Sequence, residues 1–260
     1  MMGSSDQPAV AGASVELATV NGCRAAFIVP ASNPPAGGYG LLIASMQTHT
    51  LLERFPDWTE GWAAAGYLVA CYDWRDNRYV WGADVGIETV DALFAQARDR
   101  WEVRERPAVC GTSRGGLNSL VWAHRHRGLP ICWFGTNPVM ELRTFYHRPG
   151  RAAELNEAYG ISNKAELESR VCPRVNPVKL APELAWLPMR TWQGRDDRVT
   201  PPEDLATFEA AVRSSGGNHT TVLGPGGHAR PEGPRPQFDV AAQLAFVQSC
   251  EPSSMAQGRT

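Results

Sequence analysis

The stretch that decides the fold is Ala108-Val109-Cys110-Gly111-Thr112-Ser113-Arg114-Gly115-Gly116-Leu117. Three apolar residues read as the end of a buried strand. A Gly-x-Ser-x-Gly turn follows, and Leu117, Leu120, Val121 and His124 recur at the spacing of one helix face. A serine held at such a strand-to-helix turn is pushed above the sheet in a strained conformation. The flanking glycines are needed because side chains there would strike the neighbouring strand and helix. The helix start supplies backbone N–H groups and a dipole suited to a developing negative charge.

A serine hydroxyl is a weak nucleophile without an adjacent base, and that base needs a carboxylate to orient it. Downstream, Trp192-Gln-Gly-Arg-Asp-Asp-Arg-Val-Thr-Pro201 follows one apolar run and precedes a helical one, offering Asp196 and Asp197. Farther on, Gly224-Pro-Gly-Gly-His228 follows the last apolar run. Ser113, an aspartate and His228 thus fall in that chain order, each just past a predicted strand, where the loops of a parallel sheet build sites.

The rest of the chain alternates between strand and helix patterns. Val15–Val20 and Arg24–Val29 flank Asn21-Gly22, a dipeptide suited to a tight hairpin. Strands are expected at Gly40–Ser45, Tyr67–Tyr72, Ala108–Cys110, Ile131–Phe134, Met189–Gln193 and Thr220–Leu223. Helical stripes lie between them, one through Trp58, Trp62 and Ala65 and another through Val90, Leu93, Phe94, Ala97 and Trp101. Later helices are expected at 151–158, 163–171, 203–215 and 237–249, and Arg98–Arg106 reads as an exposed helical face. The pattern predicts an α/β protein, a mostly parallel sheet with an antiparallel N-terminal hairpin and helices on both faces. Residues 14–250 read as one domain, 141–176 as a small cap, and 1–13 and 251–260 as disordered ends.

With GTSRGG, QGRDDRVTP and GPGGHA in place, the chain from about residue 40 to 230 resembles the α/β-hydrolase superfamily. The likeness is to its prolyl-oligopeptidase-like and dienelactone-hydrolase-like branches, in esterase or peptidase form. Asn176-Pro177-Val178 and Tyr72-Asp73-Trp74-Arg75 extend it. The resemblance implies Ser113 as nucleophile, His228 as base and Asp197 as acid. In that family the acid stands three residues after the glycine (Gly194) and four before the proline (Pro201). An oxyanion hole is implied at the N–H of Arg114 and of Met46 or Gln47. Many relatives carry His-Gly there, where this chain has Ser45-Met46-Gln47. The side chain of Arg114 reads as a structural partner for a nearby acid, with pairing to a carboxylate on the substrate as the alternative. Trp74, Arg143 and Tyr146 are expected at the substrate pocket, on position alone.

Composition bounds the rest. The chain has 260 residues, 43% of them apolar, enough for one substantial core. Its 25 Lys and Arg against 27 Asp and Glu give no electrostatic reason to expect nucleic acid or an anionic membrane. Six cysteines stand singly, with no CxxC pair, so no metal is expected, and no organic cofactor either. The first residues lack the pattern of a signal peptide and no apolar run suits a spanning helix, so a cytoplasmic location is expected. The expected partner is a small-molecule acyl substrate. Ester hydrolysis is the first reading. An aminoacyl-amide peptidase, an acyl transferase or cyclase, and a non-catalytic binding protein on the same fold are the alternatives.

Overall fold

The computed structural model describes residues 10–73, 81–228 and 239–252. Eight strands form one sheet in the order β1-β2-β4-β3-β5-β6-β7-β8. They are β1 (Ala13–Val20), β2 (Cys23–Pro30), β3 (Gly40–Ser45), β4 (Tyr67–Tyr72), β5 (Ala108–Thr112), β6 (Cys132–Thr136), β7 (Met189–Gly194) and β8 (His219–Gly224). β1 pairs antiparallel with β2, and β2 antiparallel with β4. Every other neighbouring pair is parallel. The hairpin turns at Asn21 and Gly22, both at positive φ (52° and 79°), as two-residue turns between twisted strands favour.

The strands β3 to β6 are buried on both sides, which is why they read as continuous apolar runs. Alternate residues still face opposite ways. Leu41, Ile43, Leu68, Ala70, Val109 and Trp133 pack under α2 (Asp84–Arg100) and α3 (Arg114–Arg125). Leu42, Ala44, Val69, Cys71, Cys110 and Phe134 pack under α1 (Pro56–Ala64) and the helix Val240–Cys250. Trp62 stacks on Phe134 with ring centroids 5.8 Å apart. The strand cysteines serve as small hydrophobes, and burial pushes the Cys71 thiol up to about 12.

Three expectations need adjusting. Val10, inside the stretch expected to be disordered, is buried and bridges to Ala13. Helix α2 stops at Arg100. Beyond it Trp101 is extended and packs its ring 5.0 Å from Phe27, while Val103 bridges to Tyr39. Residues 101–106 are therefore a strand-like border and not a helical face. At the other end, Glu251 accepts hydrogen bonds from Tyr67 and Arg104, closing the final helix onto the sheet.

Residues 141–176 hold two further helices, α4 (Leu142–Tyr146) and α5 (Arg151–Tyr159), followed by short helical turns. The helix Pro202–Ser214 lies between β7 and β8, and Leu205, Phe208 and Val212 bury into the same core as α2 and α3.

Candidate active site

Ser113 has φ 56° and ψ −123°, a backbone conformation that costs on the order of 1–3 kcal/mol for a residue with a side chain. The glycines around it explain how the turn is sustained. A Cβ on Gly111 would come within 2.4 Å of the Gly115 carbonyl oxygen. One on Gly115 would lie 1.9 Å from the Ser45 carbonyl oxygen at the end of β3. Both positions admit only hydrogen. The Ser113 backbone is gripped from β6, since its N–H donates to Thr136 O at 3.1 Å and its carbonyl accepts from Val139 N–H at 3.0 Å.

Ser113, His228 and Asp197 form one hydrogen-bonded chain. Ser113 Oγ lies 2.8 Å from His228 Nε2, and His228 Nδ1 lies 2.8 Å from Asp197 Oδ2. Asp197 is 3% exposed, whereas Asp196 beside it is exposed. Burial alone would raise the Asp197 carboxyl, but hydrogen bonds and the imidazole charge of His228, with bonds from Thr200, hold it below the ordinary carboxylate range. Its Oδ1 accepts the N–H groups of Val199 (2.7 Å) and Thr200 (2.9 Å). Gln193 Nε2 adds a bond to Oδ2 at 3.3 Å.

Two groups in this cluster carried no signal in the motif reading. The Thr200 hydroxyl lies 2.8 Å from Asp197 Oδ2 and 3.1 Å from His228 Nδ1. Asn137, just past β6 at φ 44°, is 2% exposed. Its Nδ2 donates to the His228 carbonyl at 2.8 Å, and its Oδ1 accepts from Gly194 N–H at 2.7 Å. A non-glycine residue at positive φ is the local clue, and Asn tolerates that region better than most.

The loop after β3 reaches the same place, since Ser45 pairs with Gly111 and its carbonyl oxygen lies against Gly115. The Met46 N–H is committed to Ala44 O at 2.8 Å. Gln47 caps the next helical turn through its carbonyl, and its side-chain Nε2 is buried with no hydrogen-bond partner. Arg114, next to the serine, sends its guanidinium to Glu154 of α5 at 2.9 Å and over the Trp81 ring at 4.6 Å.

The side chains expected at the substrate pocket have these surroundings. Trp74 lies outside the described residues. Arg143 holds Glu141 through Nε (2.9 Å) and Nη2 (2.6 Å). Tyr146 donates its hydroxyl to Asn156 at 3.1 Å. Among the described residues no bond joins either side chain to Ser113, His228 or Asp197. Of the other histidines, His124 meets Glu183, His126 meets Asp91, His49 meets Asp73, His219 is buried against Thr191, and the His147 ring stands edge-on to Tyr146. Among the described residues there is no cluster of three His, Cys, Asp or Glu able to hold a metal ion, and no helix long and apolar enough to cross a membrane.

No protein-family profile matches the sequence, and no curated protein sequence matches it either. Solved structures do. S-formylglutathione hydrolase from Agrobacterium tumefaciens superposes with a TM-score of 0.69 at 13% identity, over 92% of this chain and 96% of that one. Dipeptidyl peptidase 4 from Porphyromonas gingivalis gives 0.71 at 17%, and acylaminoacyl peptidase from Pyrococcus horikoshii gives 0.68 at 13%, each over 91% of this chain. The aligned region spans 35% and 41% of those two longer proteins. The strand order, the serine turn after β5 and these superpositions lead to one conclusion: the chain has the α/β-hydrolase fold.

Proposed function

We propose that the protein is a serine hydrolase that cleaves a carboxylic ester of a small or medium acyl group through an acyl-enzyme on Ser113. The observation that carries this reading is the pair of 2.8 Å contacts linking Ser113 Oγ to His228 and His228 to Asp197. Ser113 Oγ attacks the ester carbonyl while His228 Nε2 takes its proton. Asp197, kept ionised by its amide and hydroxyl donors, holds the imidazole with its proton on Nδ1 and stabilises the imidazolium that forms. His228 then protonates the leaving alcohol. A water, deprotonated by the same nitrogen, attacks the acyl carbonyl, releasing the acid and restoring the Ser113 hydroxyl. The oxyanion is received by the Arg114 N–H at the start of α3 and by the loop after β3. The Met46 amide is already used within its own turn, so Gln47 is assigned as the second donor.

The superposition with S-formylglutathione hydrolase over nearly the whole of both chains supports a hydrolase that acts on a small acyl group. A peptidase or aminoacyl-amide hydrolase is the second reading, favoured by the superpositions on two peptidases. The test is labelling with a fluorophosphonate, wild type against Ser113→Ala, followed by matched p-nitrophenyl esters and aminoacyl-anilides. Labelling confined to the wild type, with esters turned over faster than anilides, is the expected result. Labelling of both proteins, or of neither, overturns the reading. Faster anilide cleavage transfers it to the peptidase alternative.

A further inference from the structure

Ser113, Asp197 and His228 come from loops after three different strands, and a hydrogen-bonded relay works only if those loops hold a common register to a few tenths of an ångström. One residue touches all the machinery that sets that register. Asn137 donates its backbone N–H to Trp192 O on β7 at 3.0 Å, and its carbonyl oxygen lies 3.1 Å from the Thr200 hydroxyl oxygen. Its side-chain oxygen takes the N–H of Gly194, where the acid loop begins, at 2.7 Å. Its side-chain nitrogen holds the carbonyl of His228 itself at 2.8 Å. The residue before it, Thr136, accepts the Ser113 N–H, and Val139, two residues on, donates to the Ser113 carbonyl.

We infer that Asn137 is a positioning residue, a clamp that fixes the histidine loop to the acid loop and both to the segment gripping Ser113. This rests on the serine-hydrolase reading above. An amide is the group the position calls for. It must accept from one loop and donate to the other, which neither a carboxylate nor an aliphatic side chain does. It must also sit at φ 44°, a region that favours Asn or Gly. The Thr200 hydroxyl extends the clamp, standing between the Asn137 carbonyl, Asp197 Oδ2 and His228 Nδ1. None of these bonds touches substrate, so the expected effect is on how well His228 is aimed.

Two variants separate the clamp from its backbone. Asn137→Gly retains the positive φ and deletes both side-chain bonds. Asn137→Asp is isosteric, retains an acceptor for Gly194, and loses the donor to His228. Both are compared with wild type for the fluorophosphonate labelling rate per folded molecule, for kcat and KM on a p-nitrophenyl ester, and for the low-field imidazole N–H proton resonance of the histidine–aspartate pair. The expected result is a labelling rate and kcat lowered about 10- to 100-fold, a KM within about threefold, and a weakened low-field signal. Folded variants that label at the wild-type rate and keep the signal overturn the inference. Should Asn137→Gly fail to fold, the isosteric Asn137→Asp decides alone. A wild type that does not label, or labelling that survives Ser113→Ala, is a distinct result that removes the hydrolase reading and this inference with it.

Discussion

Two buried carboxylates follow adjacent parallel strands, Glu141 after β6 and Asp197 after β7, and they are 7% and 3% exposed. Burial works to raise both, and in both cases donors overcome it and hold the carboxyl below its ordinary range. Glu141 is encircled by the Arg143 N–H and guanidinium and by Asn176 Nδ2. Asp197 is encircled by Val199, Thr200 and Gln193, with His228 as its charge partner. The physics of keeping the charge is the same, and the partner makes the difference. A guanidinium never gives up its proton, so Glu141 can only brace the segment 141–176. An imidazole can both take up and give back a proton, and in the proposed mechanism Asp197 biases that transfer.

Removing each charge tests that distinction, and the largest effect belongs to Asp197. Asp197→Asn leaves the side-chain shape but no longer holds the working imidazole tautomer, so kcat is expected to fall roughly 10⁴-fold. Asp196→Asn, at the exposed neighbour, is expected to stay within about a factor of two. Ester hydrolysis kinetics on the two variants read this directly, and equal losses would dissolve the assignment of the acid.

Glu141→Gln is expected to act the other way, on stability. It strips the charge from a buried pair, though the half-exposed Arg143 can rehydrate, so about 3 kcal/mol is the expected loss. Denaturant unfolding measures it, with activity per folded molecule kept within about twofold. Arg143→Ala should follow the same pattern. A tenfold rise in KM with stability intact would instead return Arg143 to the substrate pocket.

These outcomes bear on what could be read before the structure. The strands from β3 to β6 were legible because runs buried on both faces, such as Gly40–Ser45, read as short continuous apolar stretches. The positions of Ser113, Asp197 and His228 were legible because a strained turn needs glycines and a relay needs all three residue types. Arg143 and Tyr146 were placed by position only, and a polar side chain near a site has many ways to be satisfied. Here Glu141 and Asn156 absorb them. Helix α4 escaped notice because its buried contribution is only Leu142 and Phe145. Asn137 escaped because its work lies in contacts with residues 57 and 91 positions away, which no local pattern encodes.

His219 shows what burial does without such a ring of donors. It is 1% exposed, its Nδ1 makes no hydrogen bond among the described residues, with the Glu209 carboxylate 3.7 Å away, and burial, aided by the Arg213 charge, depresses it to about 3. In the unfolded chain it takes up a proton near pH 6.5. Between those values the unfolded state binds more protons, so this contribution to stability is present above pH 6.5 and is lost as pH falls towards 3. About 2 kcal/mol should disappear between pH 6.5 and pH 5. Urea midpoints of wild type and His219→Gln across that range check it. A variant with the same acid slope would show that other groups carry it.

Asp204 is the smallest case and the mirror of Asp197. It stands in the first turn of the helix Pro202–Ser214 and, among the described residues, accepts from the Thr144 hydroxyl of α4 alone, at 3.2 Å. Burial, with the charges of Glu141 and Glu203, outweighs the Thr144 hydrogen bond and the Arg148 charge and raises it to about 6. The folded state therefore holds this proton above the unfolded value near 3.9. The associated stability is full below that value and is lost as pH rises through 6. At pH 7 to 8 the ionised group is a burden on the contact between α4 and the body of the fold. Asp204→Asn should then stabilise the protein, by about 1 kcal/mol once solvent screening of a half-exposed group is allowed for. The gain should vanish by pH 4, where the wild-type carboxyl is already neutral in the fold. Thermal melts at pH 4 and pH 8 test both signs. A variant that gains nothing at pH 8 would mean that the helix N-terminus stabilises the Asp204 charge as well as Thr144 and water fail to.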